Sequence, residues 1–180
     1  MIQGAHSRRY AKALFELAAG RQKEDDVLGE LERFAEAMEN PELSRVLNNP
    51  AFGVESRKRI VVEVARGLGL SPLATHFLAL LVERDRLGYF AAIVERYRRL
   101  LDEKKGQAQA RVVAAAPLEE SDLSSLRAAL EKISGKKIVI HQESDPALIG
   151  GVVVHLEGKI YDGSVRAQLD KMKKQLEQSY

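Results

Sequence analysis

The run DPALIGGVVVHLEGKIYDGSVRAQL, residues 145–169, decides how the second half of this chain folds. Pro146 and the pair Gly150-Gly151 punctuate its entry, and Val152, Val153, Val154 and Leu156 follow as a β-prone strand. Glu157-Gly158 reads as a tight turn, after which Lys159, Ile160 and Tyr161 return as a second strand. Asp162-Gly163 breaks that strand, and Ser164 is placed to cap a helix through Leu169 and beyond. The segment therefore predicts a loop, a hairpin, a turn and a helix start. It contains no catalytic residue set.

Upstream, Lys137–His141 predicts a strand and Glu120–Ser134 a helix with Leu123, Leu126, Leu130 and Ile133 on one side, ended by Gly135. Ala110–Ala116 is a further β-prone run. The order β-α-β-β-β-α predicts a small α+β module over residues 106–180. Residues 1–105 carry helical periodicity only. Six helices are expected: Ser7–Ala19, stopped by Gly20; Glu24–Glu39; Pro41–Leu47, capped by Asn40; Val54–Arg66, ended by Gly67; a helix from Ser71-Pro72 to about Arg86; and Gly88–Lys105. Asn49-Pro50 breaks the chain between the third and fourth. Short connections make a six-helix bundle the expected architecture, so the fold class is mostly α with a small α+β C-terminal domain.

Composition narrows the function. Cysteine is absent, which removes disulfides, zinc-thiolate sites and a thiol nucleophile. Residues 1–106 hold 18 Lys and Arg against 16 Asp and Glu, and residues 107–180 hold 10 against 10. Neither half has the basic excess of a dedicated nucleic-acid binder. No apolar run approaches the ~20 residues of a membrane-spanning helix. Arg8-Arg9 resembles a twin-arginine export signal, but Lys12, Glu16, Arg21 and Lys23 interrupt the uncharged segment such a signal needs. The histidines at 6, 76, 141 and 155 lack metal-ligand spacing, and the glycine pairs fit no phosphate loop. No catalytic residue, metal site or cofactor is expected.

Two helices carry surplus apolar surface. Tyr10–Ala19 and Leu73–Val82 each have eight apolar residues in ten, against five in Val27–Glu36 of the second helix. A peripheral helix needs one apolar stripe. Either these helices are buried on all sides, or each packs one face inward and offers another to a partner helix.

The run at 145–169 resembles the C-terminal signature of the delta-subunit family of F-type ATP synthases, whose mitochondrial relative is the oligomycin-sensitivity-conferring protein: a D-P-x-L-I-G-G loop, a hairpin and a D-G-S turn into the last helix. SRRYAKALFELA at 7–18 is similar to the family's N-terminal Y-A-x-A-L-F motif, and FLALLVERDRL at 77–87 to its F-L-x-L-L-x-E-x-x-R stretch. The resemblance implies a non-catalytic stator subunit at the cytoplasmic face of a bacterial cell membrane, held there through its partners alone. It implies that residues 1–105 bind the N-terminal segments of the alpha subunits of the F1 head. By position this assigns Tyr10, Ala13, Leu14 and Leu17 on the first helix and His76, Phe77 and Leu80 on the fifth. His76 stands where the family commonly has Asn. Residues 106–180 are implied to bind the ends of b-type stalk subunits, a contact that Leu169, Met172 and Leu176 on the last helix could serve. The alternative reading is a nucleic-acid-associated module. It requires strongly salt-dependent binding, and an aromatic content of 6% weighs against it.

Overall fold

The computed structural model describes residues 2–49 and 51–178, with side chains described for 6–49 and 51–173. The break expected at Pro50 and the apolar side chain of Leu176 lie outside the described residues. The chain divides into two compact units, residues 1–101 and 102–180.

The first unit is helical: α1 (Ile2–Ala19), α2 (Glu24–Ala37), α3 (Pro41–Asn48), α4 (Val54–Gly67), α5 (Pro72–Glu83) and α6 (Phe90–Lys105), the last running past the boundary into the second unit. The starts follow the capping chemistry. Asn40 Oδ1 accepts from the Glu42 and Leu43 amides at 2.9 and 3.2 Å, and Ser71 Oγ accepts from the Ala74 amide at 3.3 Å. Pro41 and Pro72 sit in the first turn, where no amide hydrogen is needed.

The ends differ from expectation in an instructive way. α1 stops at Ala19, but the left-handed residue is Gln22 (φ 54°), with the Lys23 amide donating back to Ala18 O at 3.1 Å. Gly20 is only the first residue of that turn. α5 stops at Glu83 rather than near Arg86, because Asp85 adopts φ 52° and the Arg86 amide reaches Leu81 O at 2.7 Å. Both are Schellman closures, and a polar residue substitutes for glycine in each. The turn after α5 continues as a 3₁₀ segment, Leu87–Tyr89, so α6 begins at Phe90, two residues later than the sequence predicts.

The six helices share one core that includes Ala11, Leu14, Ala18, Leu31, Phe34, Leu47, Val61, Phe77, Leu81, Ile93 and Tyr97. Two of the polar groups inside it reach backbone carbonyls. The Tyr97 hydroxyl donates to Glu24 O at 3.1 Å. Burial first, then the charges of Glu24, Asp25 and Glu30, push its phenol above its ordinary range, so it stays a donor. Buried Arg57 donates through Nη1 to Leu47 O at 3.3 Å and to Asp85 Oδ1 at 3.1 Å. It thereby ties the end of α3 to the turn after α5.

The second unit holds a four-stranded mixed sheet in the order β2-β1-β3-β4. β1 (Gln107–Ala114) runs parallel to β2 (Lys137–Ser144), with α7 (Glu120–Ser134) as the crossover. β3 (Val152–Leu156) is antiparallel to β1, and β4 (Lys159–Asp162) closes a hairpin with β3. α8 (Val165–Gln178) follows. Ala108, Ala110 and Val112 pack with Ile138, Val154, Leu156 and Leu130 of α7 on one face. Arg111, Val139, His141 and Ile160 are exposed.

Candidate functional site

Six of the seven residues assigned to partner binding in the first unit fall into two groups, with Tyr10 between them. Leu14 is 1% exposed and Phe77 8%, and both belong to the core. Their side chains are spent on the interior. Leu17 is 56% exposed and Leu80 39%, and Ala13 and His76 are exposed as well. Tyr10 is half-buried and meets Phe77 edge to face, with ring centroids 6.4 Å apart at 67°. That contact brings α1 and α5 together.

Helical geometry explains the split. On α1, Ala11, Leu14 and Ala18 are spaced 3 and 4 residues apart and face inward, while Ala13 and Leu17 form a parallel stripe turned outward, with Tyr10 between the two. On α5, Ala74, Leu78, Leu81 and Val82 face inward, Leu80 and His76 outward, and Phe77 stands at the edge. The Tyr10–Phe77 contact is thus the base of a seam, flanked by Ala13 and Leu17 on one side and His76 and Leu80 on the other. Two large apolar side chains stay in water beside this aromatic pair, which leaves burial free energy to be gained by a covering partner.

The second unit presents a corner built from the stretch at 145–169. Asp145 opens it: its amide donates to Ala114 O at 2.8 Å, and its Oδ1 accepts from the Ala147 amide at 2.9 Å. Gly151 has φ +80°, and a Cβ there would fall 2.3 Å from Gly163 O and 2.9 Å from Ser164 Cα. Only a residue without a side chain fits. The Gly163 amide donates to Val152 O at 2.9 Å and the Val165 amide to Gly150 O at 3.0 Å. The glycine pair and the Asp162-Gly163-Ser164 turn are therefore two halves of one object. Asp162 Oδ1 accepts from the Ser164 amide at 2.9 Å, and Ser164 Oγ accepts from the Ala167 amide at 3.2 Å as the cap of α8. Hydrogen bonds to Asp162 from the Ser164 amide first, and then from the Ser164 hydroxyl, hold its carboxyl below its ordinary range.

Next to this corner, Val165, Leu169 and Met172 lie exposed at i, i+4 and i+7 on α8. Val165 was not among the residues read from sequence on that side, although the spacing alone could have supplied it. Ile149 in the loop and Ile160 on β4 are exposed too. Among the described residues, no cluster of three or more His, Asp or Glu side chains is arranged to hold a metal ion, and no helix is long and apolar enough to cross a membrane.

What this geometry offers is exposed apolar surface: a seam on a helical unit and a stripe beside a rigid glycine corner on an α+β unit. Residues 7–176 match the family described as ATP synthase delta (OSCP) subunit. ATP synthase subunit delta of Anaeromyxobacter sp. (strain Fw109-5) is 40% identical over 99% of this chain and 100% of its own length. The subunit delta of Citrifermentans bemidjiense is 40% identical over 96% of each chain. A chain in the cryo-EM structure of the Toxoplasma gondii mitochondrial ATP synthase hexamer has a similar fold, with TM-score 0.71 at 24% identity, over 94% of this chain and 96% of that one. The chain belongs to the ATP synthase delta (OSCP) subunit family. It is a structural subunit of ATP synthase and is not itself catalytic.

Proposed function

We infer that this subunit is a stator coupling between the F1 head of an F-type ATP synthase and the peripheral stalk. Its helical unit, read as a six-helix bundle over residues 1–105, grips the N-terminal segments of the alpha subunits. Its α+β unit, residues 106–180, holds the ends of the b-type subunits. Torque from the rotor drags the head around, and a stator must resist that drag for the torque to drive ATP synthesis and proton transport to stay coupled. Such a coupling needs slow dissociation under load, which shape-matched apolar contacts provide, because affinity differences reside mostly in the off-rate. The subunit sits at the cytoplasmic face of a bacterial membrane through its partners alone, and nucleic acid is not among them.

The observation that carries this reading is the pair of exposed leucines, Leu17 and Leu80, flanking the Tyr10–Phe77 contact. The test is titration of the full chain with an alpha-subunit N-terminal peptide. Leu80→Asp and Leu17→Asp would each weaken binding by about 2–4 kcal/mol with no change in helical content, since a charge would be buried without a partner. Unaltered affinity in both variants would remove the seam as the docking site.

A further inference from the structure

β2 lies at an edge of the sheet, and its free side is only partly closed. The Lys137 amide donates to Gly106 O at 3.0 Å and the Asp145 amide to Ala114 O at 2.8 Å, so the odd-numbered residues of β2 turn their backbone groups toward β1. The even-numbered residues, Ile138, Ile140, Gln142 and Ser144, turn theirs away from the sheet. At Ile138 the free side is closed, because Glu131 Oε1 of α7 accepts from its amide at 3.1 Å. Among the described residues nothing hydrogen-bonds the outward amides of Ile140, Gln142 and Ser144. Just beyond them, Pro146 has no amide to offer. The open edge is therefore Ile140, Gln142 and Ser144, bounded by a stop at either end.

An unpaired edge is a template for another strand. A second copy of β2 fits this one in a single antiparallel register. With Gln142 opposite its own counterpart and Ile140 opposite Ser144, each open residue exchanges both backbone bonds with the residue it faces. Ile138 then faces Pro146, so the amide taken by Glu131 lies opposite a residue that has none. His141 meets Glu143 of the second copy, and Glu143 meets its His141, in the close non-hydrogen-bonded pairs. Both side chains are exposed, on the face away from the Leu130 side of the sheet. The neighbouring registers fail. A shift one way sets His141 against His141 and requires the Ile138 amide. A shift the other way sets Glu143 against Glu143, like charges directly opposed, and wastes Ile140 on Pro146.

We propose that β2 is a self-pairing edge, through which two copies of the free chain join about a twofold axis in this register. The pairing is independent of docking to the head or the stalk. It belongs to the chain before assembly, when an edge covered by its own copy is closed to other strands. The contact is one strand wide, smaller than a standard interface, so the dimer is reversible and follows concentration.

Sedimentation of the full chain over about a hundredfold range of concentration reads that equilibrium. The unaltered chain should pass from monomer to dimer. Gln142→Pro removes an outward amide without touching the bonds to β1 and should leave monomer alone. His141→Glu and Glu143→Lys should each be monomeric by themselves, the first by opposing two carboxylates and the second by losing the carboxylate that faces His141. Mixed together they should dimerise again, because the new carboxylate then faces the new ammonium. That recovery could not come from misfolded chains. A chain that stays monomeric at the highest concentration overturns the pairing. A dimer that survives Gln142→Pro lies on another face, and β2 is refuted as the contact. Charge variants that both dimerise alone, or that fail to recover on mixing, refute the register.

Discussion

The α1–α5 seam and the Gly151–Gly163 corner put sequence to opposite uses. The corner is spelled by residues with narrow conformational meaning, and each one closes a hydrogen bond or a steric gap within the unit. The seam is spelled by alanine, leucine and one aromatic pair, residues with no local signature, and its meaning lies in which of them stay outside. The conspicuous stretch of this chain is architecture, and the inconspicuous one is surface. A motif that can be recognised at sight need not be where a partner binds.

The sharpest way to break the comparison is inside the seam. Leu14 and Leu17 are neighbours in one motif, but only Leu14 is in the core. Leu14→Asp should cost at least ~4 kcal/mol of stability and melt the helical unit, which denaturant titration would register, whereas Leu17→Asp should leave the midpoint nearly unmoved. Similar midpoints for the two would contradict the division into core and surface.

The corner is tested by comparing two of its glycines. Gly151→Ala introduces a Cβ where backbone oxygen already stands, in a left-handed conformation, and should cost about 3 kcal/mol or more. Gly158→Ala, at φ +81° with open space around it, should cost only about 1 kcal/mol. Amide hydrogen exchange across β3 and β4 would separate them, and equal protection in both variants would count against the close approach.

Smaller still is the cap. Ser164→Ala removes the acceptor for the Ala167 amide and should cost about 1 kcal/mol. Asp162 sharpens the same point through pH. Its carboxyl is held below the usual range in the folded chain, so the unfolded chain binds the proton more readily. The stability it contributes is present above the unfolded carboxyl's range, near pH 4, and disappears as pH falls through the lower folded value. Asp162→Asn should flatten the acid side of the stability profile of the second unit, and an unchanged profile would show that the Ser164 bonds do not matter there.

Much of the helical unit was legible because caps and prolines are local devices. Asn40-Pro41 and Ser71-Pro72 started α3 and α5 where expected. Closures by Gln22 and Asp85 were not legible, since neither residue demands a left-handed backbone; the surrounding turn imposes it. The strands show the same limit. β1 begins at Gln107, earlier than its β-prone residues suggest, and β2 extends to Ser144 rather than stopping at His141. Gln107-Ala108-Gln109 has little strand preference, and the ladder to Lys137, Ile138 and Val139 recruits it. In the seam, counting apolar residues showed a surplus on α1 and α5 but could not assign it to a side. That needed the angle around each helix, which Tyr10 and Phe77 fix only when they meet.

The strand order bears on how the chain is made. β1 occupies an inner position, and both strands that flank it are encoded later, up to Leu156. During synthesis the helical unit can complete its core while the ribosome is still translating residues beyond 101. β1 must then wait, unpaired, until β2 has emerged, and its second edge stays open until β3 follows. A premature stop anywhere between Gln107 and Lys137 should therefore release a folded helical fragment trailing an aggregation-prone tail.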